Sequence, residues 1–346
     1  MDKKTNCISV SDANPAIIKD VNLCTDCGHC RAVCSEEINV AGHAIPGREK
    51  EKYCIHCGQC AAACPEQAIQ VKKELGAVKS AIKDPKKIVI FSTSPSVRVG
   101  IGDEFLTKPG VYSEGKMVAA LRKLGGDYVL DVTFSADLTI MEEGSELIER
   151  IMTKNKELPQ FTSCCPAWVK YIETYHPDLI PNLSTAKSPI GMQGAVIKTY
   201  FASKHHLNPE DIISVAVTPC TAKKFEIRRP EMKDAGEMLG FSGMRDNDYV
   251  ITTKELVQWM KEENIDFDSL EEEKFDSILG KGSGAGVIFG NTGGVMEAAL
   301  RMAYECLTGE SPKEALLHFE PVRGMQGIKE ASVTIGDTTV NTAVVY

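Results

Sequence analysis

The sequence of 346 residues contains no apolar run long enough to span a membrane, and its first twenty residues lack the apolar core of a signal peptide. It also lacks an excess of positive charge, because its net charge is −9 at pH 7. Nucleic-acid-binding surfaces are usually basic. These absences predict a cytoplasmic protein that works away from membranes and nucleic acids.

The familiar nucleotide-binding glycine motifs are absent as well. The glycine-rich stretch GKGSGAGVIFGNTGG, residues 280–294, contains neither GxxxxGK[ST] nor GxGxxG. Its predicted strand, residues 287–289, lies between the glycines rather than before them. A phosphate loop is therefore excluded, and the glycines indicate close backbone packing around a cofactor or another strand.

Cysteine is abundant, with thirteen residues in the chain. Without an export signal these thiols are expected to stay reduced, because the cytosol disfavours disulfides. Eight of the thirteen form two similar runs, C-TD-C-GH-C-RAV-C at 24–34 and C-IH-C-GQ-C-AAA-C at 54–64. Such clustering indicates metal binding. Cys7 lies outside the runs and is interpreted as incidental.

The spacing within each run is typical of paired [4Fe–4S] clusters, in which three cysteines hold one cubane and the fourth reaches the other. This pattern predicts one centre on Cys24, Cys27, Cys30 and Cys64, and a second on Cys54, Cys57, Cys60 and Cys34. Structural zinc is the alternative, but it favours two C-x2-C pairs separated by a longer loop. The histidines inside the runs, His29 and His56, are expected to be solvated rather than ligands.

After the cysteine runs comes a lysine-rich stretch over residues 72–87. It is interpreted as a solvated connection, with docking of an acidic ferredoxin as the alternative.

From Ile88 onward the pattern alternates between strands and helices. Strands are predicted over 88–91, 128–134, 212–220, 249–253 and 287–289, with helices starting near Ser145 and running from Pro189 to Lys204. A hairpin is predicted at the end of the chain, turning at Gly336-Asp337. The alternation predicts α/β layers with parallel sheets, which bind ligands at the carboxyl ends of their strands.

Two local signals mark helix starts. Thr252 and Glu255 have the spacing of a capping box. In TSCCPAWVKY, Pro166 suits a first helical position, directly after Cys164 and Cys165. Thiols at a helix N-terminus are expected to have a lowered pKa, so one could bind a metal while its neighbour moves a proton. The alternative is a pair of buried core cysteines.

Together, the two cysteine runs, TSCCPAW, TPCTAKKFE and FGNTGGVMEAALR resemble the [FeFe]-hydrogenases, from about residue 20 to the end. The resemblance implies an α/β two-lobed catalytic domain, with parallel sheets flanked by helices, over residues 81–212 and 213–346. A small α+β bacterial-ferredoxin-like domain would precede it, in residues 1–80.

The resemblance also implies the chemistry: reversible oxidation of H2 and reduction of protons at a buried H-cluster. That cofactor is a [4Fe–4S] cubane joined through a cysteine thiolate to a di-iron unit carrying CO, CN⁻ and a bridging dithiolate amine. Electrons would pass through the two [4Fe–4S] clusters to and from ferredoxin, and di-iron maturation proteins would be further partners.

Carried over to this sequence, the resemblance gives each motif a role. Cys165 and Cys220 match two ligands of the cubane, and Cys164 matches a thiol that relays a proton. The proton path would continue through Glu146, Ser184 and Glu143 and end near Arg150. Without the resemblance, Glu143 and Glu146 are paired carboxylates on one face of a helix start, which are typically solvated.

The remaining roles concern the ligands of the di-iron unit. Lys223 matches a lysine that contacts a cyanide, although on its own a lysine in KKFE would be a surface charge. The resemblance further implies cofactor-binding or pocket-lining positions at Pro95, Ser96, Ser188, Thr218 and Phe289. Thr218 stands where many family members have methionine, so a hydroxyl replaces a soft apolar wall.

The family's last motif, ExMxCxxGCxxGGG, is absent from the sequence, although it normally supplies the other two cubane cysteines. Cys306 is left over and is predicted to be a buried core residue. The sequence is then a fragment of a longer hydrogenase, or a second polypeptide completes the site, or the cluster has been lost. The alternative functions are an iron–sulfur electron carrier, an assembly protein, or a redox or H2 sensor, each without the di-iron site.

Overall fold

A computed structural model describes residues 6–41, 53–105, 108–153, 157–277, 280–312, 319–322, 326–335 and 338–345. Its N-terminal part consists of β1 (Ile17–Lys19), α1 (His29–Ala32), α2 (Gln59–Ala62) and β2 (Ile69–Val71). The two strands pair antiparallel, with Ile17 opposite Val71. Each cysteine run turns into its short helix at a glycine with positive φ, 87° at Gly28 and 80° at Gly58. Because glycine adopts this conformation without strain, the two runs fold alike.

The central part alternates strands with helices. Its elements are α3 (Leu75–Lys83), β3 (Ile88–Thr93), α4 (Val97–Gly100), α5 (Glu114–Lys123), β4 (Tyr128–Asp131), α6 (Thr133–Thr153), α7 (Pro166–Tyr175), α8 (Pro189–Val196) and α9 (Ala202–Lys204). They continue with β5 (Ile212–Thr218), α10 (Lys223–Glu226), α11 (Asp234–Leu239), β6 (Tyr249–Thr252) and α12 (Thr253–Glu262). The four strands form one parallel sheet in the order β4–β3–β5–β6. The predicted α/β architecture is confirmed.

Apolar side chains pack on both faces of this sheet, as in other parallel sheets. One face carries α3, α5 and α12, with residues such as Phe91, Leu121 and Trp259 in a shared core. The opposite face packs Ile90 against the α8–α9 segment, including Phe201. The carboxyl ends of the strands therefore meet at one edge, where Pro95 follows β3 and Cys220 follows β5.

The C-terminal part contains α13 (Gly284–Ile288), α14 (Gly294–Thr308), β7 (Glu320–Pro321), β8 (Ile328–Ile335) and β9 (Thr338–Val345). The last strands pair antiparallel, which confirms the predicted hairpin; its turn at Gly336-Asp337 lies outside the described residues. The glycine-rich stretch allows close packing, because a Cβ on Gly286 would collide with the carbonyl of Thr133. At Gly293 a Cβ would meet Val344 of β9 at 2.6 Å.

Three predicted elements were wrong. The helix expected to start near Ser145 begins at Thr133, because the Asp131 carboxylate accepts the Thr133 N–H (3.0 Å) and starts the helix early. The strand expected at 287–289 is the end of α13, whose first turn is capped by the Ser283 hydroxyl accepting the Ala285 N–H (3.1 Å). The lysine-rich stretch is not a solvated connection, since it contains α3, which packs Val78 into the core.

Other local predictions were correct. Pro166 occupies the first turn of α7, and Thr252 and Glu255 form the capping box at the start of α12. The parallel sheet takes strands from both sides of residue 212, so the division into lobes at 81–212 and 213–346 stays a prediction. No helix within the described ranges is long and apolar enough to cross a membrane.

A buried ion pair ties α10 to α12 beneath the sheet edge, and its loss should destabilise the fold. Lys224 is fully buried, and its Nζ lies 3.0 Å from the Glu255 carboxylate that also completes the capping box. Glu255→Ala leaves a buried ammonium without its counter-charge and should lower the free energy of unfolding by about 3–5 kcal/mol. Denaturant titration of the reduced chain measures this value.

Lys261→Ala is the control, because it removes an ion pair with Glu104 whose side chains are 52% and 54% exposed. Exposed pairs contribute about 1 kcal/mol or less. Equal destabilisation by both substitutions would contradict the structural role of the buried pair.

Candidate metal centres and active site

The first cysteine set is Cys24, Cys27, Cys30 and Cys64, and its four side chains line one small cavity. The Ile8 N–H donates to the Cys30 sulfur (3.4 Å), as suits an anionic thiolate. Cys7, interpreted as incidental, lines the same cavity, with its sulfur 2.7 Å from the ammonium of Lys19. Sequence reasoning missed this lysine, because a turn of irregular chain separates it from the cysteine run.

The second cysteine set is Cys54, Cys57, Cys60 and Cys34, which line a second, larger cavity. The side-chain amide of Asn14 donates to the Cys54 sulfur (3.5 Å), and so does the backbone N–H of His56 (3.4 Å). Asn14 belongs to a segment forty residues before Cys54, so no local pattern connects the two. Among the described residues, no group of three or more His, Cys, Asp or Glu side chains is arranged closely enough to hold a metal ion, so the two crossed ligand sets stay a prediction.

His56 is not solvated as predicted. Its side chain is buried and stacks on Phe225, with ring centroids 4.4 Å apart and planes at 19°. Burial, reinforced by the charge of Lys170, lowers the pKa of His56 to about 4. The ring is therefore neutral at pH 7, and its Nδ1 lies 3.2 Å from the side-chain oxygen of Asn14. His29 is exposed, as predicted.

Cys164 and Cys165 lie at the start of α7, with Cys165 exposed at the N-cap position. The expectation of a lowered thiol pKa is wrong for Cys164. Burial raises the pKa of its thiol to about 12, although the charge of Lys223 opposes the shift. A desolvated thiolate costs more than the helix end supplies, so the Cys164 thiol is protonated. A neutral thiol can still donate a proton.

Cys220 and Lys223 approach this point from the carboxyl end of β5. The Lys223 ammonium is buried and donates to the backbone oxygen of Cys164 (2.8 Å) and to the Glu226 carboxylate (2.9 Å). Burial acts to lower the pKa of Lys223, but Glu226 and the nearby thiols outweigh it and raise that pKa. Lys223 is thus a buried cation rather than the surface charge that KKFE alone suggests. Glu226, its counter-charge, was not predicted.

The carboxylates of α6 are buried in the middle of the helix, not solvated at its start. The buried Glu143 carboxylate accepts a hydrogen bond from the N–H of Ser163 (3.2 Å), the residue that directly precedes Cys164. Glu146 accepts from the Ser184 hydroxyl (3.0 Å) and from Arg150 (2.8 Å). The expected order of the path is therefore reversed, since Glu143 lies at the Cys164 end and Glu146 at the Arg150 end.

Their surroundings push the pKa values of the two carboxyl groups apart. Burial raises the pKa of Glu143 to about 7, and the hydrogen bond from the Ser163 N–H opposes this rise only in part. Burial also acts to raise the pKa of Glu146, but Arg150, Thr185 and Ser184 outweigh it, so that pKa falls below its usual value. Glu143 can thus hold or release a proton near neutral pH, whereas Glu146 stays ionised.

The predicted pocket-lining residues come from separate elements. Pro95 and Ser96 follow β3, and the chain directly after Phe289 reaches them, since a Cβ on Gly290 would lie 3.5 Å from the Pro95 Cβ. Ser188 is buried at the N-cap of α8, where its hydroxyl accepts the Gly191 N–H (3.3 Å). Thr218 ends β5, and its hydroxyl accepts the Cys220 N–H (3.4 Å). Cys306, predicted to be buried, is exposed on α14.

Comparison with known families agrees with this geometry. Residues 87–346 match the model of the iron only hydrogenase large subunit, C-terminal domain, and residues 23–69 match a 4Fe-4S dicluster domain. The chain belongs to the iron-only hydrogenase family. The dicluster match confirms the prediction of two [4Fe–4S] clusters, and membership of the hydrogenase family supports the H-cluster as the cofactor of the catalytic domain.

Individual relatives fit the same assignment. The chain is 50% identical, over 270 residues, to the periplasmic [Fe] hydrogenase large subunit of Nitratidesulfovibrio vulgaris, covering 78% of this chain and 62% of the relative. It is similar to the structure of a variant of apo [FeFe]-hydrogenase HydA1 from Chlamydomonas reinhardtii (TM-score 0.66, 43% identity, 76% of this chain and 65% of that one). It is also 31% identical to cytosolic iron-sulfur assembly component 3 of Bos taurus over 288 residues, covering 75% and 59%. The chain thus spans about three fifths of the length of these relatives.

The raised pKa of Glu143 predicts how stability depends on pH. A glutamate carboxyl group ordinarily has a pKa of 4.5, whereas in the folded chain this one has a pKa of about 7, so folding favours its protonated form. This stabilisation is fully present below pH 4.5 and is lost as the pH rises to about 7, which corresponds to about 3 kcal/mol. Glu143→Gln, which stays neutral, should therefore unfold at higher denaturant concentration than the parent chain at about pH 8, and at a similar concentration near pH 4.5.

Glu142→Gln is the matched control, because Glu142 is the exposed neighbour on the same helix. Its stability curve should run parallel to that of the parent chain over the same pH range. A parallel curve for Glu143→Gln as well would contradict a buried carboxyl group that titrates near neutral pH.

Proposed function

We propose that this chain, once completed by the two cubane cysteines of the ExMxCxxGCxxGGG motif, catalyses the reversible interconversion of H2 with two protons and two electrons, at an H-cluster held between α7, α10 and the loop after β3. The observation that carries the proposal is the convergence of four groups: Cys165, Cys220, the protonated Cys164 thiol and the buried Lys223 ammonium. The Lys223 ammonium donates to the Cys164 carbonyl oxygen (2.8 Å), and the Lys223 N–H donates to the Cys220 carbonyl oxygen (3.3 Å), so the two cysteine segments meet at this lysine.

The residues fit part of the proposed cofactor in type and charge, since two of the four cubane cysteines belong to this chain and the other two would come from the ExMxCxxGCxxGGG motif. Cys165 and Cys220 offer thiolates to the cubane, and the Lys223 ammonium is positioned for an anionic ligand such as cyanide. When bound, the H-cluster supplies the place where protons and electrons combine. The remaining pocket positions, Pro95, Ser96, Ser188, Thr218 and Phe289, would line its di-iron side.

Proton delivery follows the buried groups of α6. Arg150 holds Glu146 ionised, the Ser184 hydroxyl donates to Glu146, and Glu143 accepts from the Ser163 N–H beside Cys164. Because the pKa of Glu143 is near 7, its carboxyl group can accept a proton from the Ser184 side and release it toward Cys164. The Cys164 thiol would then deliver that proton to the cofactor.

Electrons would enter through the ferredoxin-like domain. The first cysteine set, with its exposed Cys27, would receive them, and the second set would pass them toward Cys165. A soluble ferredoxin as donor, di-iron maturation proteins as partners, and a cytoplasmic location all belong to this proposal. If an acidic ferredoxin docks at the lysine-rich stretch, it would contact the exposed face of α3.

Substitution of Cys164 tests the proposed function. In chain purified without oxygen and loaded with the cofactor, Cys164→Ala should lower H2 evolution from a reduced dye by about 10²-fold or more, the typical contribution of a positioned proton donor. The matched control is Cys306→Ala, since Cys306 is exposed on α14 and has no part in the proposed path. Iron–sulfur absorbance should be unchanged in both variants. Equal activity in both would contradict a catalytic role for Cys164.

The crossed ligand sets predict which substitutions act on the same cluster. Cys27→Ser combined with Cys64→Ser should reduce the bound iron by the same half as either change alone, because both thiols serve one centre. Cys27→Ser combined with Cys34→Ser should remove both centres. Iron analysis and electron paramagnetic resonance of the reduced chain distinguish these outcomes. If Cys27→Ser combined with Cys34→Ser instead removes only one centre, each run holds its own cluster and the crossed assignment is wrong.

An iron–sulfur assembly or carrier role is the second candidate, favoured by the similarity to cytosolic iron-sulfur assembly component 3. The buried proton carriers Cys164 and Glu143 and the buried cation Lys223 argue against it, because carrying a cluster requires neither. Transfer of iron–sulfur clusters from the reconstituted chain to an apo-acceptor, without H2 turnover, would favour this candidate instead.

A further inference from the structure

The loop of the second cysteine set packs directly on the α10 segment of the catalytic part. His56 lies between Cys54 and Cys57 in the chain, and its ring stacks on Phe225, at 4.4 Å between centroids. Phe225 lies two residues after Lys223, on the same short helix. The stack therefore joins the loop that would hold the second cluster to the helix that carries the active-site cation.

A second contact brings the same two segments together. Gly58 follows Cys57 with φ of 80°, and a Cβ at this position would lie 2.7 Å from the hydroxyl oxygen of Thr221. Thr221 directly follows Cys220. At this contact only glycine fits, so the approach of the two cysteine-bearing loops is built into the sequence.

Two cations also lie near the Phe225 ring. The Lys170 ammonium lies 5.8 Å and the Arg229 guanidinium 5.7 Å from its centroid, within cation–π range. Arg229 is fixed by two hydrogen bonds to Glu173 (2.6 and 3.1 Å). Lys170 and Glu173 belong to α7, the helix that begins directly after Cys165. Phe225 thus connects α7, α10 and the second cysteine loop.

We propose that His56 and Phe225 are positioning residues that fix the second cluster against the Cys165 and Cys220 loops and thereby keep the electron path between them short. This inference rests on the proposed function, because it assigns the stack to electron transfer. Neither ring itself carries electrons or contacts the substrate. The stack acts through the cysteines on either side, since electron-transfer rates fall steeply with the separation of the centres.

Hydrogen exchange tests the contact between the second cysteine loop and α10, and it does not require H2 turnover. With the two N-terminal clusters assembled, His56→Ala should speed amide exchange in residues 223–229 about threefold to tenfold, the range that a stacked aromatic pair contributes. His56→Phe keeps a stacking ring and should exchange like the parent chain. The double variant His56→Ala/Phe225→Ala should exchange no faster than the faster single variant, because both changes remove one interaction.

A further variant separates the stack from its neighbourhood. His205→Ala removes a tilted contact with Phe201, 4.1 Å between centroids and 32° between planes, beside Tyr128 at the start of β4. It should leave exchange in residues 223–229 unchanged.

The rate of electron transfer out of the second cluster is a measurement that a merely structural role of the stack would not change. In chain loaded with the catalytic centre, flash photoreduction should show slower electron transfer out of the second cluster in His56→Ala and in Phe225→Ala, and recovery in His56→Phe. The proposal is overturned if His56→Ala matches the parent chain in exchange, or if its electron transfer stays fast while α10 loosens. If the parent chain shows no H2 turnover, the proposed function is wrong, but the exchange measurement still tests the contact between His56 and Phe225.

Discussion

The buried Lys223 ammonium is the interaction on which the arrangement of the site depends. Its Nζ donates to the Cys164 carbonyl oxygen at 2.8 Å and to Glu226 at 2.9 Å, so it ties the start of α7 to α10. Removing a charge from water is costly unless it is fully paired, so this ammonium holds both partners in place. The adjacent Lys224, paired with Glu255, fixes α10 to α12 in the same way. Two consecutive buried lysines thus set the position of the loop that carries Cys220.

Low solvent exposure around this cation also determines the proton chemistry. Burial raises the pKa of the Cys164 thiol to about 12 and that of Glu143 to about 7, so at pH 7 the thiol is protonated and the carboxyl group is about half protonated. Glu146, hydrogen-bonded to Arg150, stays ionised instead. Neighbouring groups of different protonation state are what a directional path for protons requires. The burial that stabilises the fold therefore also sets the protonation states of the groups in the proposed proton path.

Much of this could be predicted from the sequence, because metal ligands need particular residues at fixed spacing. The cysteine runs, the Cys164–Cys165 pair and the capping box at Thr252 are local patterns, and the structure confirms the capping box and places the cysteine pair at the start of α7. The burial of His56, the counter-charge Glu226 and the order of Glu143 and Glu146 could not be predicted. They depend on which distant element packs against each residue, as Phe225 packs on His56.

Infrared spectroscopy tests the central claim most directly. The chain should be co-expressed with the di-iron maturation proteins, purified without oxygen, and measured with and without a polypeptide that carries the ExMxCxxGCxxGGG motif. We expect CO and CN⁻ stretching bands from bound cofactor, with the CN⁻ bands shifted in Lys223→Met, where the buried donor is lost. Iron–sulfur absorbance without these bands under either condition would contradict an H-cluster site and leave the chain an electron carrier.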